Sequence, residues 1–247
     1  MKTRTLPSAV PDASTPTPVL EARGLTSGYG PVPVIRNVNL LVGKGEMVGL
    51  FGTNGVGKTT TIMTLAGHLQ PSAGSVLWCG RELSNPPHVR ARDGMALVTQ
   101  ERCVFMSLTV QDNLRLGLGR TDDVLELFPE LRSHVKKTAG LLSGGQQQML
   151  AVGRAIVSRP HLLIADEPSL GLAPMIVDRI LEVLRHAVDE YGLSVLIVEQ
   201  QVPKALRVID RGYVLRRGAI ALQGTSDKLA GQMDDLHRSY VTGAGDV

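Results

Sequence analysis

Aromatic residues are scarce in this chain of 247 residues: three phenylalanines, four tyrosines and one tryptophan, 3% in all. Leu, Val, Ile and Ala must therefore fill any core, and a hydrophobic content of 43% is enough for a sizeable one. Cysteine is nearly absent. Cys79 and Cys103 have no metal-ligand spacing and no Cys/His cluster around them, which excludes a zinc site and a disulfide scaffold. They read as buried or partly buried free thiols in a reducing cytosol. No apolar run approaches the roughly 18 residues of a spanning helix. Residues 1–18 hold four prolines and six Ser/Thr, with no apolar segment of the signal-peptide type, and read as a disordered leader. The expectation is a soluble, cytoplasmic protein whose only route to a membrane is a partner. The formal charge of +3 is mild and both signs are interspersed, so no basic arm for nucleic acid is present.

What the chain does have is a strong phosphate-binding segment, Gly52-Thr53-Asn54-Gly55-Val56-Gly57-Lys58-Thr59. It follows a short apolar strand at 46–51 and opens a helix predicted over 58–69, the strand–loop–helix setting of a P-loop. Its glycines let backbone N–H groups approach phosphate oxygens. Lys58 reaches the β- and γ-phosphates, the Thr59 hydroxyl suits Mg²⁺, and Thr60 suits the α-phosphate. A nucleoside triphosphate site follows from this alone.

Further strands are expected at 34–42, 75–79, 95–99, 161–165 and 194–198. Helices are expected at about 145–157, 175–190 and 203–208, and a hairpin over 212–222 turns at Arg217-Gly218. The stretch 101–142 has no strong strand but shows helical patterns at 110–118 and 122–128, the second broken by Pro129. Alternating strands and helices argue for an α/β fold with a mainly parallel sheet. At 161–167, apolar residues bury a strand that ends in Asp166-Glu167, at the sheet edge where such folds bind ligands. Asp166 suits Mg²⁺ through water, and Glu167 suits a general base.

A second anion cradle is present at Leu142-Ser143-Gly144-Gly145-Gln146, a Ser-Gly-Gly turn opening a helix. One chain has no evident need of two cradles, whereas two chains facing each other can each cap the other's nucleotide. With these motifs the sequence resembles the ATP-binding-cassette (ABC) family from about residue 20 to about residue 230. The resemblance implies an ABC-type P-loop core over 19–230, an antiparallel β part, a small helical subdomain inserted at about 101–157, and a tail over 231–247. It implies Tyr29 as the adenine-stacking aromatic, and Gly52, Asn54, Gly55, Gly57, Lys58, Thr59 and Thr60 as nucleotide-binding. Thr59, Gln100 and Asp166 become candidate Mg²⁺ ligands. Glu167, Gln100 and Gln200 become the catalytic candidates. Ser143, Gly144, Gly145 and Gln146 would contact ATP held by the opposite subunit.

Two departures narrow the resemblance. Many family members have an aspartate where this chain has Ala173, and the switch histidine that usually follows the strand at 194–198 is replaced by Gln200. A neutral amide hydrogen-bonds but does not titrate. The nucleotide on this chain's own P-loop is therefore expected to be hydrolysed slowly or coupled poorly, with a histidine-bearing partner carrying more of the turnover. Together with Pro-Ser-Leu-Gly-Leu-Ala-Pro (168–174), Val-Glu-Gln (198–200), Asp210-Arg211-Gly212-Tyr213-Val214-Leu215 and Glu126-Leu127-Phe128-Pro129, these features are similar to the LivF-type ATPase of branched-chain amino-acid importers. Urea and short-chain amide importers have close relatives. The resemblance implies a peripheral ATPase at the cytoplasmic face of the membrane. Its partners would be a second, different ABC ATPase, two permeases and, indirectly, a substrate-binding protein, with no nucleic acid. An exporter ATPase and a non-transport ABC ATPase are the alternatives. Only 42 positions separate Gln100 from Leu142, too few for a long coiled-coil insertion.

Overall fold

A computed structural model describes residues 17–101 and 103–232. The expected leader, but for its last two residues, and nearly all of the expected tail lie outside the described residues. Two sheets organise the chain. The first is antiparallel and joins β1 (Leu20–Ser27), β2 (Ile35–Val42), β4 (Ala73–Trp78) and β5 (Arg81–Glu82) in the order β2-β1-β4-β5. The second joins β3 (Met47–Phe51), β6 (Met95–Val98), β7 (Leu162–Asp166), β8 (Ser194–Glu199), β9 (Arg211–Arg216) and β10 (Ala219–Thr225). Its order is β10-β9-β3-β8-β7-β6, parallel throughout except where β10 pairs antiparallel with β9. The hairpin turns at Arg217 (φ 50°) and Gly218 (φ 80°), where expected.

Strands β3, β7 and β8 are buried at every position, as strands covered on both faces must be. On one face lies α1 (Lys58–Leu65), whose Ile62 and Leu65 share one buried cluster with Leu20 of the first sheet and Leu50, Ile164 and Val198 of the second. The Tyr213 hydroxyl accepts from the Leu41 N–H at 3.1 Å and ties β9 to β2. Short α2 (Pro87–Arg92) precedes β6. A helical lobe then interrupts the sheet: α3 (Val110–Arg115), α4 (Thr121–Leu127), a 3₁₀ turn at Pro129–His134, and α5 (Gly144–Val157). Next comes α6 (Pro174–Tyr191), followed by α7 (Val202–Ala205) and α8 (Ser226–Gly231). The lobe closes on Phe128, Leu114 and Leu131, all at most 2% exposed, in one cluster with α5 and α6. Gly153 lets α5 cross α4: a Cβ there would lie 2.6 Å from Val124 Cγ1 and 3.1 Å from the Phe128 ring.

Strand register sets the position of the functional residues. Phe51 pairs with Glu199, and Asp166 pairs with Val198. The three central strands thus end level, and the P-loop, the acidic pair and Gln200 all emerge at one edge.

Several expectations need correction. Strand β1 is not expected from the sequence, because Gly24 (φ 57°) and register breaks against both neighbours spoil its alternation. The helix after the P-loop stops at Leu65 rather than 69, since Gly67 at φ 85° leaves the helical region. Cys79 and Cys103 are exposed, not buried: both sit in turns with positive φ, at 49° and 45°. Among the described residues, no helix is long and apolar enough to cross a membrane.

Truncating Phe128 to alanine is expected to cost about 3–5 kcal/mol, as for a fully buried aromatic. A denaturant titration of the purified chain checks this, and a loss below about 1 kcal/mol would show that the lobe does not depend on that ring.

Candidate active site

A cleft of about 430 Å³ opens at the common strand edge. Most of the expected nucleotide residues line it: Asn54, Gly55, Gly57, Lys58, Thr59 and Thr60 from the P-loop and α1. Tyr29, Gln100, Glu167 and Gln200 line the same cleft from four other segments. Gly52 lies below the rim and Asp166 lies behind Thr59, each joined to the cleft by a hydrogen bond. Tyr29 is 67% exposed, with its ring free to take a planar partner.

The P-loop needs its glycines here. Gly57 caps α1 at φ 107°, and a Cβ on it would fall 2.5 Å from Ile35 Cγ2. The Lys58 ammonium is almost fully buried. It donates to the carbonyls of Gly52 (2.9 Å) and Thr53 (3.1 Å) and stands 3.3 Å from Glu167 Oε1. Across the cleft, the Gln200 side-chain amide donates to Glu167 Oε2 at 2.7 Å. Both oxygens of Glu167 are therefore held, one by a cation and one by a neutral amide. Its backbone sits at φ 47°, a strained value for a residue with a side chain. The Glu167 N–H donates to the Val198 carbonyl at 3.0 Å, which keeps it there.

Asp166 is the last residue of β7 and is 2% exposed. Its Oδ2 accepts from the Thr59 hydroxyl at 3.3 Å, while its Oδ1 is buried with no hydrogen-bond partner. Burial first, then the charge on Glu167, push the carboxyl from an ordinary 3.8 up to about 6, against the pull of Thr59 and Lys58. An orphaned carboxylate oxygen beside a hydroxyl is a hard-oxygen donor set, which fits Mg²⁺. Among the described residues no group of three or more His, Cys, Asp or Glu gathers to hold a metal, so these two donors would be only part of an ion's shell.

The sequence patterns give Glu199 no role. It ends β8, is 1% exposed, and accepts from the Ser169 hydroxyl at 2.5 Å, the Ser169 N–H at 3.2 Å and the Gln200 N–H at 3.2 Å. Burial pushes its carboxyl up, and the hydrogen bonds from Ser169, Gln200 and Gln201 pull it partly back. The signals in the sequence that point to it are its place in the Val198-Glu199-Gln200 run and its closing of a strand that is apolar from Val195 to Val198.

The second cradle does not join this cleft. Ser143 caps α5 in a reciprocal box: its hydroxyl accepts from the Gln146 N–H at 3.3 Å, and Gln146 Oε1 accepts from the Ser143 N–H at 3.1 Å. Gly145 packs against α6, where a Cβ would meet Ile176 Cγ2 at 2.8 Å. Within one chain, then, this segment is a well-capped helix start that does not line the cleft.

The sequence profile of the ABC transporter family matches residues 35–170. The chain is 44% identical over 211 residues to a high-affinity branched-chain amino acid transport ATP-binding protein, BraG, of Pseudomonas aeruginosa, covering 81% of this chain and 90% of that protein. It is 35% identical over 215 residues to a probable branched-chain amino acid transport ATP-binding protein, LivF, of Archaeoglobus fulgidus, covering 83% and 91%. A solved ATP-binding subunit of an ABC transporter superposes with a TM-score of 0.76 at 29% identity, covering 90% of this chain and 98% of that one. With the fold, the motifs and these likenesses in agreement, the chain belongs to the ABC transporter family.

Proposed function

We propose that this chain is the ATP-hydrolysing subunit of an importer for branched-chain amino acids or related small polar solutes. The observation that carries the chemistry is the meeting of Lys58, Thr59, Asp166, Glu167 and Gln200 at one sheet edge. The likeness to BraG supports the solute class. In this reading residues 19–230 form one ABC ATPase domain with a helical part inserted at about 101–157.

ATP enters with its base on Tyr29 and its phosphates along the P-loop amides. Lys58 turns from the Gly52 and Thr53 carbonyls and from Glu167 to the β- and γ-phosphates. Thr59, Asp166 and Gln100 would hold Mg²⁺, which would supply positive charge against the phosphate oxygens. Glu167, released by Lys58, takes a proton from the attacking water as that water's oxygen bonds to the γ-phosphorus and ADP departs. Gln200 keeps hold of the second Glu167 oxygen and so orients the base. It cannot carry a proton near the γ-phosphate as a histidine would, which makes this site the slower one.

The Ser143 hydroxyl and the Gly144 and Gly145 amides, with Gln146 behind them, reach the γ-phosphate of a facing second ATPase. The two cassettes close over two ATP molecules and open after hydrolysis, and the helical lobes carry that motion to two permeases. A substrate-binding protein on the far side of the membrane takes part only indirectly, and the chain itself sits at the cytoplasmic face.

Three outcomes test this reading. Lys58→Ala is expected to weaken ATP binding roughly 10- to 100-fold, the loss of one charge-assisted contact set. Glu167→Gln is expected to bind ATP but lose about 10²- to 10⁴-fold in turnover at its own site. Wild-type ATP affinity in the first variant, or normal turnover in the second, contradicts the assignment. Gln200→His is expected to raise ATPase activity of the assembled complex, and unchanged or lower activity counts against a slow site.

Asp166 adds a pH test. Its folded pKa of about 6 lies above the ordinary 3.8, so the fold favours the neutral form. The ionised carboxylate costs stability increasingly as pH rises from about 4 through about 6, and fully above that. Asp166→Asn should therefore melt about 3–6 °C higher than wild type at pH 7.5, but no higher at pH 4, while losing stabilisation by Mg-ATP. Equal melting temperatures at pH 7.5 would show that the orphaned oxygen is satisfied in solution.

A further inference from the structure

Glu199 is a buried ionisable group to which the proposed chemistry gives no task. A carboxylate taken out of water is costly unless its oxygens are fully shared out. Here they are shared between the two turns that flank the cleft. Ser169, in the turn after Glu167, gives its hydroxyl at 2.5 Å and its N–H at 3.2 Å; Gln200, in the turn after β8, gives its N–H at 3.2 Å. One carboxylate thus fixes the distance between the turns.

Glu167 lies between them. Its N–H is tied to Val198, its carbonyl accepts from the Leu170 N–H at 3.0 Å, and its side chain accepts from the Gln200 amide at 2.7 Å. Its φ of 47° persists only where the surroundings over-determine it. Leu170 follows Ser169 directly, so both backbone neighbours and the side-chain partner of Glu167 sit on segments that Glu199 joins.

We propose that Glu199 is a positioning residue for the reaction at this cleft. By clamping Ser169 to Gln200 it sets the reach of the Gln200 amide to Glu167, and so aims the Glu167 carboxylate. The inference rests on the reading of Glu167 as the base. Shape alone does not supply the clamp. A glutamine at 199 has the same outline, but whichever oxygen its NH₂ replaces, it opposes one backbone N–H, of Ser169 or of Gln200.

The test is steady-state ATP hydrolysis by the assembled transporter whose partner ATPase is disabled at its own general base, so that turnover reports this chain's site, with ATP affinity and melting temperature measured on the same preparations. The variants are Glu199→Gln, Ser169→Ala, Gln200→Ala and the double variant Glu199→Gln/Gln200→Ala. Glu199→Gln is expected to lower kcat about 10- to 100-fold, the usual effect of a small misplacement of a reacting group. ATP affinity should stay within about twofold, because the P-loop is untouched. Ser169→Ala should lower kcat in the same direction, and it decides the matter if Glu199→Gln does not fold. In the Gln200→Ala background, Glu199→Gln should lower kcat no further, since the effect runs through Gln200. A normal kcat in both Glu199→Gln and Ser169→Ala overturns the inference. So does a loss of affinity or melting temperature with kcat unchanged, or a full additive loss in the double variant. Normal turnover in Glu167→Gln overturns the parent reading and this one with it; a dead Glu167→Gln beside an active Glu199→Gln overturns this one alone.

Discussion

Parallel pairing of β3, β8 and β7 is the constraint on which the site depends. Because Phe51 pairs with Glu199 and Asp166 with Val198, three strands far apart in sequence end at the same height. Each then releases its chemistry into the same space: the P-loop after β3, Glu167 after β7, Gln200 after β8. Open α/β sheets bind ligands at this edge because the strand ends, helix N-termini and turns meet there. A slip of one residue in any of these pairings would turn its side chains to the opposite face and dismantle the site.

The same edge is where the fold is least comfortable. Asp166 keeps one buried oxygen without a partner, Glu167 holds a strained φ, and the Lys58 ammonium is folded back on carbonyls of its own loop. A core optimised for stability alone would remove all three. Kept together, they fit the proposed role of holding a polyanion and a cation. The apolar interior supplies the rigidity that this demands: β3, β7 and β8 are buried along their whole length.

Much of the site is legible in the sequence, and for physical reasons. The P-loop announces itself through glycines at positive φ and a lysine at the helix start, both local requirements. The Asp166-Glu167 pair stands out because it ends an apolar run. The hairpin at Arg217-Gly218 follows from turn chemistry. What escapes a sequence reading depends on contacts between distant segments or on broken periodicity. Strand β1 is masked by the bulge at Gly24. The exposure of Cys79 and Cys103 comes from turn conformation rather than from residue type. Glu199 looks like an ordinary strand end until Ser169, 30 positions earlier, is seen against its carboxylate. The capping box of Ser143 and Gln146 has a readable spacing, but the same residues also spell an anion cradle, and spacing alone does not separate the two roles.

The central claim is that this cassette works beside a second, different one under two permeases. Purification of a tagged chain from its native membranes, with mass spectrometry of what accompanies it, tests that claim most directly. The expected result is two polytopic membrane proteins and a distinct ATPase with a histidine at the position of Gln200. Recovery of ribosomal or DNA-associated proteins without a permease would contradict it.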